Sequence, residues 1–177
     1  IITTEDRQII GNGQPDWFGG LTNSFQFYGV DLSFMFQYSV GNDVYNAQRM
    51  FSTQSRLEMQ NNLAEVKDRW TATNASNLVP SAKGYVAYDV YSRFIEDGSF
   101  LRLKNITLGY TIPERLTRKF YVNKLRIYAS ANNLFLLTKY SGFDPEVNMK
   151  SSNLMPSFDF GAYPKSKTFT FGVELNF

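Results

Sequence analysis

Alternation, not helical periodicity, dominates this chain. In Thr168–Phe177 the residues Phe169, Phe171, Val173, Leu175 and Phe177 share one parity, and Thr168, Thr170, Gly172, Glu174 and Asn176 share the other. That is the period-two signature of a strand with one apolar and one polar face. Lys124–Asn132 repeats it, with Leu125, Ile127, Ala129 and Ala131 set against Lys124, Arg126, Tyr128, Ser130 and Asn132. Val30–Val40 sets Val30, Leu32, Phe34, Phe36, Tyr38 and Val40 against Asp31, Ser33, Met35, Gln37 and Ser39. Leu21–Tyr28 is a weaker instance. Phe100–Thr111 changes parity midway, because Leu101 and Leu103 fall opposite to Ile106, Leu108 and Tyr110. A bulge near Lys104–Asn105 would restore the register.

These segments predict an all-β fold of five strands that exceed the usual five or six residues. About ten residues at ~3.3 Å each, tilted by ~45°, span about 24 Å, the height of the apolar band of a transmembrane barrel. The connections alternate in length: a tight turn at Gly29–Asp31, a long excursion Gly41–Ser99, a modest turn Pro113–Asn123 and a second long excursion Phe135–Lys165. Short turns on one side and long loops on the other are the layout of an outer-membrane barrel. A soluble β-sandwich or jelly roll also alternates, and stays open on pattern alone. Within the first excursion, Met59, Leu63, Val66 and Trp70 recur at helical spacing and predict a helix inside Asp43–Thr71, packed on the loop's own core. Asn74–Gly84 is turn-rich.

Composition narrows the chemistry. Cys and His are both absent, which excludes a disulfide scaffold, thiolate or imidazole metal sites, and Ser-His-Asp or Cys-His catalysis. Eighteen Lys and Arg against 16 Asp and Glu leave +2, too even to attract nucleic acid in bulk. No cofactor motif is present, since Gly11-Asn12-Gly13 lacks the strand and helix of a phosphate loop and reads as a turn. Asp144-Pro145-Glu146 brings two carboxylates together, but a turn explains them better than a glycosidase pair. Arg115, Arg118, Lys119 and Lys124 cluster at the Pro113–Asn123 turn and read as a solvated turn, with lipid headgroups or nucleic acid as the other possibilities. Aromatics reach 16%. Those assigned to loops (Trp17, Phe18, Tyr85, Tyr88, Tyr91, Tyr140, Phe143 and Tyr163) suit loop packing, sugar stacking or a girdle at the bilayer edge. The chain opens at Ile1 without an initiator Met or a signal region, and so reads as a piece of a longer protein.

The last residues, Thr170-Phe171-Gly172-Val173-Glu174-Leu175-Asn176-Phe177, resemble the C-terminal signal read by the barrel-assembly machinery, with Thr170, Gly172, Leu175 and Phe177 at the positions that carry it. Further stretches resemble the C-terminal part of the SusC/RagA family of TonB-linked outer-membrane transporters. They are Ile10-Gly11-Asn12 through Pro15-Asp16-Trp17, Gly98-Ser99-Phe100-Leu101-Arg102-Leu103-Lys104-Asn105 with Leu108-Gly109-Tyr110, Asn133-Leu134-Phe135, Thr138-Lys139-Tyr140-Ser141-Gly142-Phe143-Asp144-Pro145-Glu146, and Tyr163-Pro164.

The resemblance implies that residues 1–177 are the last five strands of a plugged barrel of the 22-stranded class, with a short helix in a long extracellular loop. The plug domain and TonB box lie outside this chain, and the remaining strands must too, since five cannot close. It implies an importer of oligosaccharides or peptides, energised through TonB, acting with a SusD-like lipoprotein in the outer membrane of a Gram-negative, Bacteroidetes-like bacterium. No catalysis is expected of this chain. With the C-terminus periplasmic, the two long excursions become extracellular. Phe169, Phe171, Val173, Leu125, Ile127, Phe34 and Phe36 are then expected to face lipid, and Arg126, Tyr128, Ser130 and Asn132 the plug or lumen. The alternatives are a soluble carbohydrate-binding sandwich and a plugless porin or adhesin.

Overall fold

A computed structural model describes residues 4–53, 61–75, 79–81, 90–148 and 156–177. In chain order the strands are β1 (Trp17–Phe27), β2 (Val30–Val40), β3 (Asp43–Asn46), β4 (Ile95–Asp97), β5 (Phe100–Ile112), β6 (Lys124–Thr138), β7 (Phe158–Asp159) and β8 (Thr168–Asn176). Two short α-helices, α1 (Ala47–Thr53) and α2 (Glu114–Thr117), accompany them. The chain divides into two units, one made of Pro15–Gly41, Ser99–Lys139 and Pro164–Phe177, the other of Ile1–Gln14, Asn42–Gly98 and Tyr140–Tyr163.

The first unit is a five-stranded antiparallel sheet in the order β1-β2-β5-β6-β8. β1 and β2 form a hairpin closed by Tyr28 and Gly29, both at positive φ (46° and 83°), the backbone that a two-residue turn needs to match strand twist. The expected bulge is present: Met35 pairs with Asn105 but Phe36 pairs with Leu103, which leaves Lys104 over. The same step displaces β6, where Asn132 pairs with Asn105 and Phe135 with Leu103. Asn133 takes the extra room at φ 52°, a left-handed backbone that asparagine tolerates better than most residues, and donates its amide to the Ser166 carbonyl at 3.0 Å.

That bulge explains the first of two corrections. β6 continues to Thr138 rather than ending at Asn132, so the second long excursion begins later than Phe135. The parity shift at Asn133 turned the run Leu134–Leu137 into an apparent break. β1 likewise begins at Trp17, so Trp17 and Phe18 are strand residues and not loop aromatics. Gly19 and Gly20 hide the alternation there, and the Tyr38 ring covers Gly19 from the paired strand.

In the second unit a small sheet of order β4-β3-β7, with β3 antiparallel to β4 and parallel to β7, was not foreseen from the sequence. Val44, Tyr140 and Val147 form its buried centre, with Ala162 packed on them. The continuous helix expected within Asp43–Thr71 is not there. Asp43–Asn46 is strand, α1 covers Ala47–Thr53, and a 3-10 turn covers Ala64–Asp68. Arg69 and Thr71 enter isolated β-bridges with Val79 and Asn74. Only Val66 of the expected stripe is buried, Leu63 and Trp70 being exposed, and Met59 lies outside the described residues, as do Tyr85 and Tyr88. The local reason is legible: Asn46 Oδ1 accepts the Arg49 N–H at 2.8 Å as a helix N-cap, and at the other end Thr53 Oγ1 donates to the Arg49 carbonyl at 2.9 Å. Ser52 then receives the Leu63 N–H at 2.9 Å, folding the chain back.

Candidate functional site

The five-stranded sheet has two faces of opposite chemistry. Cross-strand pairing puts Leu125 beside Leu175, Ile127 beside Val173, Ala129 beside Phe171 and Ala131 beside Phe169. The same face continues through Leu108, Ile106 and Leu103 of β5 to Leu32, Phe34 and Phe36 of β2, and on to Phe25 and Leu21 of β1. Phe34 contacts the rings of Phe25 and Phe36 at centroid distances of 6.1 and 5.6 Å. Most of this face is uncovered, with Phe171 81% exposed and Phe169, Val173, Leu175, Ile127, Leu108, Phe25 and Leu21 all exposed. A soluble sandwich would bury these side chains under a second layer.

The opposite face is polar and internally wired. Arg126 of β6 forms a bidentate pair with Asp31 of β2, Nε to Oδ1 at 2.9 Å and Nη2 to Oδ2 at 2.6 Å. The pair crosses the intervening strand β5 above Gly109, where a Cβ would stand 2.6 Å from Arg126 Nη2. Glu174 of β8 approaches the same guanidinium at 3.7 Å and accepts from Lys124 at 3.2 Å. The Arg126 guanidinium also lies 5.0 Å from the Tyr128 ring centre, within cation–π range. That ring in turn lies over Gly172, its partner on β8, where a Cβ would overlap it. Asn105 donates to Asn132 at 2.8 Å, and Ser130 pairs with Thr107 and Thr170.

Each residue singled out from the sequence can now be placed. Phe34, Phe36, Leu125, Ile127, Phe169, Phe171 and Val173 share the apolar face, and Arg126, Tyr128, Ser130 and Asn132 the polar one. The four signal positions do not form one surface: Thr170 and Gly172 stand on the polar face, Leu175 on the apolar face, and the exposed Phe177 follows the last strand residue. Asp31, Gly109 and Glu174 are the polar-face partners that sequence reading missed. Asp31 was legible as polar by parity, but its partner lies two strands away, which no spacing encodes.

The second unit holds a denser polar network around Arg49. Its guanidinium grips Glu65 at 3.0 and 2.8 Å and reaches Glu96 at 3.2 Å. Glu96 also accepts from the Ser141 hydroxyl and N–H and from Asn46. The Arg49 hydrogen bonds hold the Glu65 carboxyl below its ordinary range against the opposing effect of burial. For Glu96 burial pushes upward most, yet the combined hydrogen bonds from Ser141, Asn46 and Arg49 outweigh it and keep the group lowered. Burial, then the 2.6 Å hydrogen bond to Asp159, raise the Tyr140 hydroxyl. Beside this network is a cleft of about 470 Å³ bounded by Asn46, Arg49, Leu63, Glu65, Ser141 and Phe143. Asp144 and Glu146 are turn residues, Asp144 Oδ1 accepting the Glu146 N–H at 2.9 Å. Among the described residues no acidic group is clustered for metal binding.

The TonB-dependent receptor P3 of Formosa agariphila is 35% identical over 185 residues, matching 99% of this chain and 18% of its own length. The TonB-dependent receptor SusC of Bacteroides thetaiotaomicron is 31% identical over 177 residues, matching 99% of this chain and 16% of its own length. The chain belongs to the SusC-like TonB-dependent receptors. The solved RagAB peptide importer in its open-open state shares the fold of this SusC-like segment, with a TM-score of 0.81 and 31% identity over 96% of this chain and 18% of that one. No protein-family model matches it. The SusC-like chain thus spans under a fifth of the length of these relatives.

Proposed function

We propose that this chain is the C-terminal part of the barrel wall of an outer-membrane importer of oligosaccharides or peptides, powered through TonB. The carrying observation is the sheet itself: long antiparallel strands present one exposed apolar face and one wired polar face, in a chain alike over its whole length to SusC-like receptors. In hydrocarbon every backbone polar group needs an internal partner, so a strand-built wall must close into a barrel. The apolar set, including Phe34, Phe36, Leu125, Ile127, Phe169, Phe171 and Val173, then meets acyl chains. Arg126, Tyr128, Ser130 and Asn132 face the plug or the lumen, and Thr170, Gly172, Leu175 and Phe177 serve in assembly. The reading places the C-terminus in the periplasm and the second unit outside the cell, where a SusD-like surface lipoprotein would cover the barrel.

Uptake separates this from a plugless porin. Cells carrying the intact receptor are given labelled oligosaccharides and labelled peptides, with TonB present or deleted. The expected outcome is accumulation of one class that disappears without TonB, and receptor-dependent entry that persists without TonB would reject the importer reading.

A further inference from the structure

The turn between β5 and β6 is built as an amphipathic element. Over α2 and the following 3-10 turn (Arg118–Phe120), residues four apart share a side. Thr117 is buried and marks the side turned to the protein, its hydroxyl on the Glu114 carbonyl. Glu114 and Arg118 are ion-paired at 2.9 Å on one flank, and Glu114 borders the hollow of the polar face together with Asp31, Arg126 and Glu174. The helical spacing therefore turns Leu116 and Phe120 to the other flank, the side of the apolar face. They are 56% and 76% exposed, and they extend the apolar line of Ile112 and Leu125, which are paired at the strand ends beside them. Arg115 and Lys119 point away from Thr117, exposed and without an ion pair among the described residues. Tyr121 ends the element at φ 59° and is 90% exposed.

A surface with an apolar flank, an aromatic tip and two uncompensated cations complements the boundary of a lipid leaflet, not bulk water. We infer that residues 113–121 are an interfacial anchor: Leu116 and Phe120 enter the acyl boundary, and Arg115 and Lys119 bind the phosphates of anionic phospholipids. This rests on the barrel reading above. The tight turn at Tyr28–Gly29 exposes Phe27 and Tyr28 in the same way but carries no cation, so the preference for anionic headgroups belongs to the β5–β6 turn.

The test uses the intact receptor, with other accessible cysteines replaced, reconstituted in phosphatidylcholine vesicles with or without phosphatidylglycerol. A fluorophore on Phe120→Cys is expected to be quenched by shallow nitroxide lipids and shielded from aqueous iodide. Nitroxide-labelled phosphatidylglycerol should quench it in preference to the phosphatidylcholine analogue, and R115Q/K119Q should reduce that preference by about fivefold per charge removed. Iodide quenching without lipid quenching, or a preference unchanged by R115Q/K119Q, overturns the anchor. A probe on Phe171→Cys keeps the two readings apart. If it lies deep in lipid while the Phe120→Cys probe lies in water, the anchor alone fails; if it too lies in water, the barrel reading fails and the anchor with it.

Discussion

Gly172 and Tyr128 illustrate how much of this sheet is decided one residue at a time. Any side chain at 172 would overlap the tyrosine ring, and that ring also packs against the Arg126 guanidinium that holds Asp31. Gly172→Ala should therefore push Tyr128 aside, while Tyr128→Ala in the same background removes the obstacle. Denaturant unfolding of the intact receptor in detergent should give a coupling energy of about 1 kcal/mol. Strictly additive costs would mean that Gly172 matters only as a signal to the assembly machinery. Neighbouring residues on β8 should differ by face. Phe171→Lys places a charge on the exposed apolar side and is expected to cost about 2–4 kcal/mol near mid-bilayer, whereas Thr170→Lys, on the polar side, should cost far less. Heat-modifiable mobility of the membrane-inserted receptor reads the folded fraction of each.

At the scale of elements, the five long strands were legible apart from the start of β1 and the end of β6, while the small sheet and the loop helix were not. A strand with one buried or lipid-facing side must alternate, so β2 could be read off the chain to its end residues. Even the bulge at Lys104 showed as a parity change. Helical spacing at Leu63, Val66 and Trp70 carried no such compulsion, because β3 pairs with β4 and β7 and Glu65 is drawn to Arg49. That network has its own pH signature. Glu65 and Glu96 titrate below the ordinary value of 4.5, so their contribution is complete above that value and is lost as pH falls through the lowered folded values. Amide protection at Arg49 and Ser141 in the intact receptor, corrected for the intrinsic exchange rate at each pH, should fall on acidification below 4.5. Glu65→Gln should remove part of that dependence; protection that stays constant down to strong acid would show that the carboxylates do not hold the unit.

For the whole molecule, the governing fact is that five strands leave β1 and β8 as open edges and leave the apolar face uncovered. Five strands are fewer than any known closed membrane barrel uses. Unpaired edges and exposed apolar faces promote association. The isolated 177-residue chain is therefore expected to aggregate in plain buffer and to need detergent to stay dispersed, as size-exclusion chromatography would show. A stable monomer without detergent would contradict the membrane assignment.

By itself the sequence determined which side of the five long strands is greasy over most of their length, where the two short turns fall, and that no thiol or imidazole chemistry is available. These are local properties, set by side-chain parity, by the backbone freedom of residues such as Gly29, and by composition. Only the tertiary structure decided that Arg126 reaches Asp31 over Gly109, that Tyr128 fills the space at Gly172, and that Asp43–Asn46 joins a sheet instead of a helix. Those outcomes depend on which distant segments become neighbours. Pairing energy between strands far apart in the chain leaves no periodic mark on either one, so proximity had to be seen before its chemistry could be read.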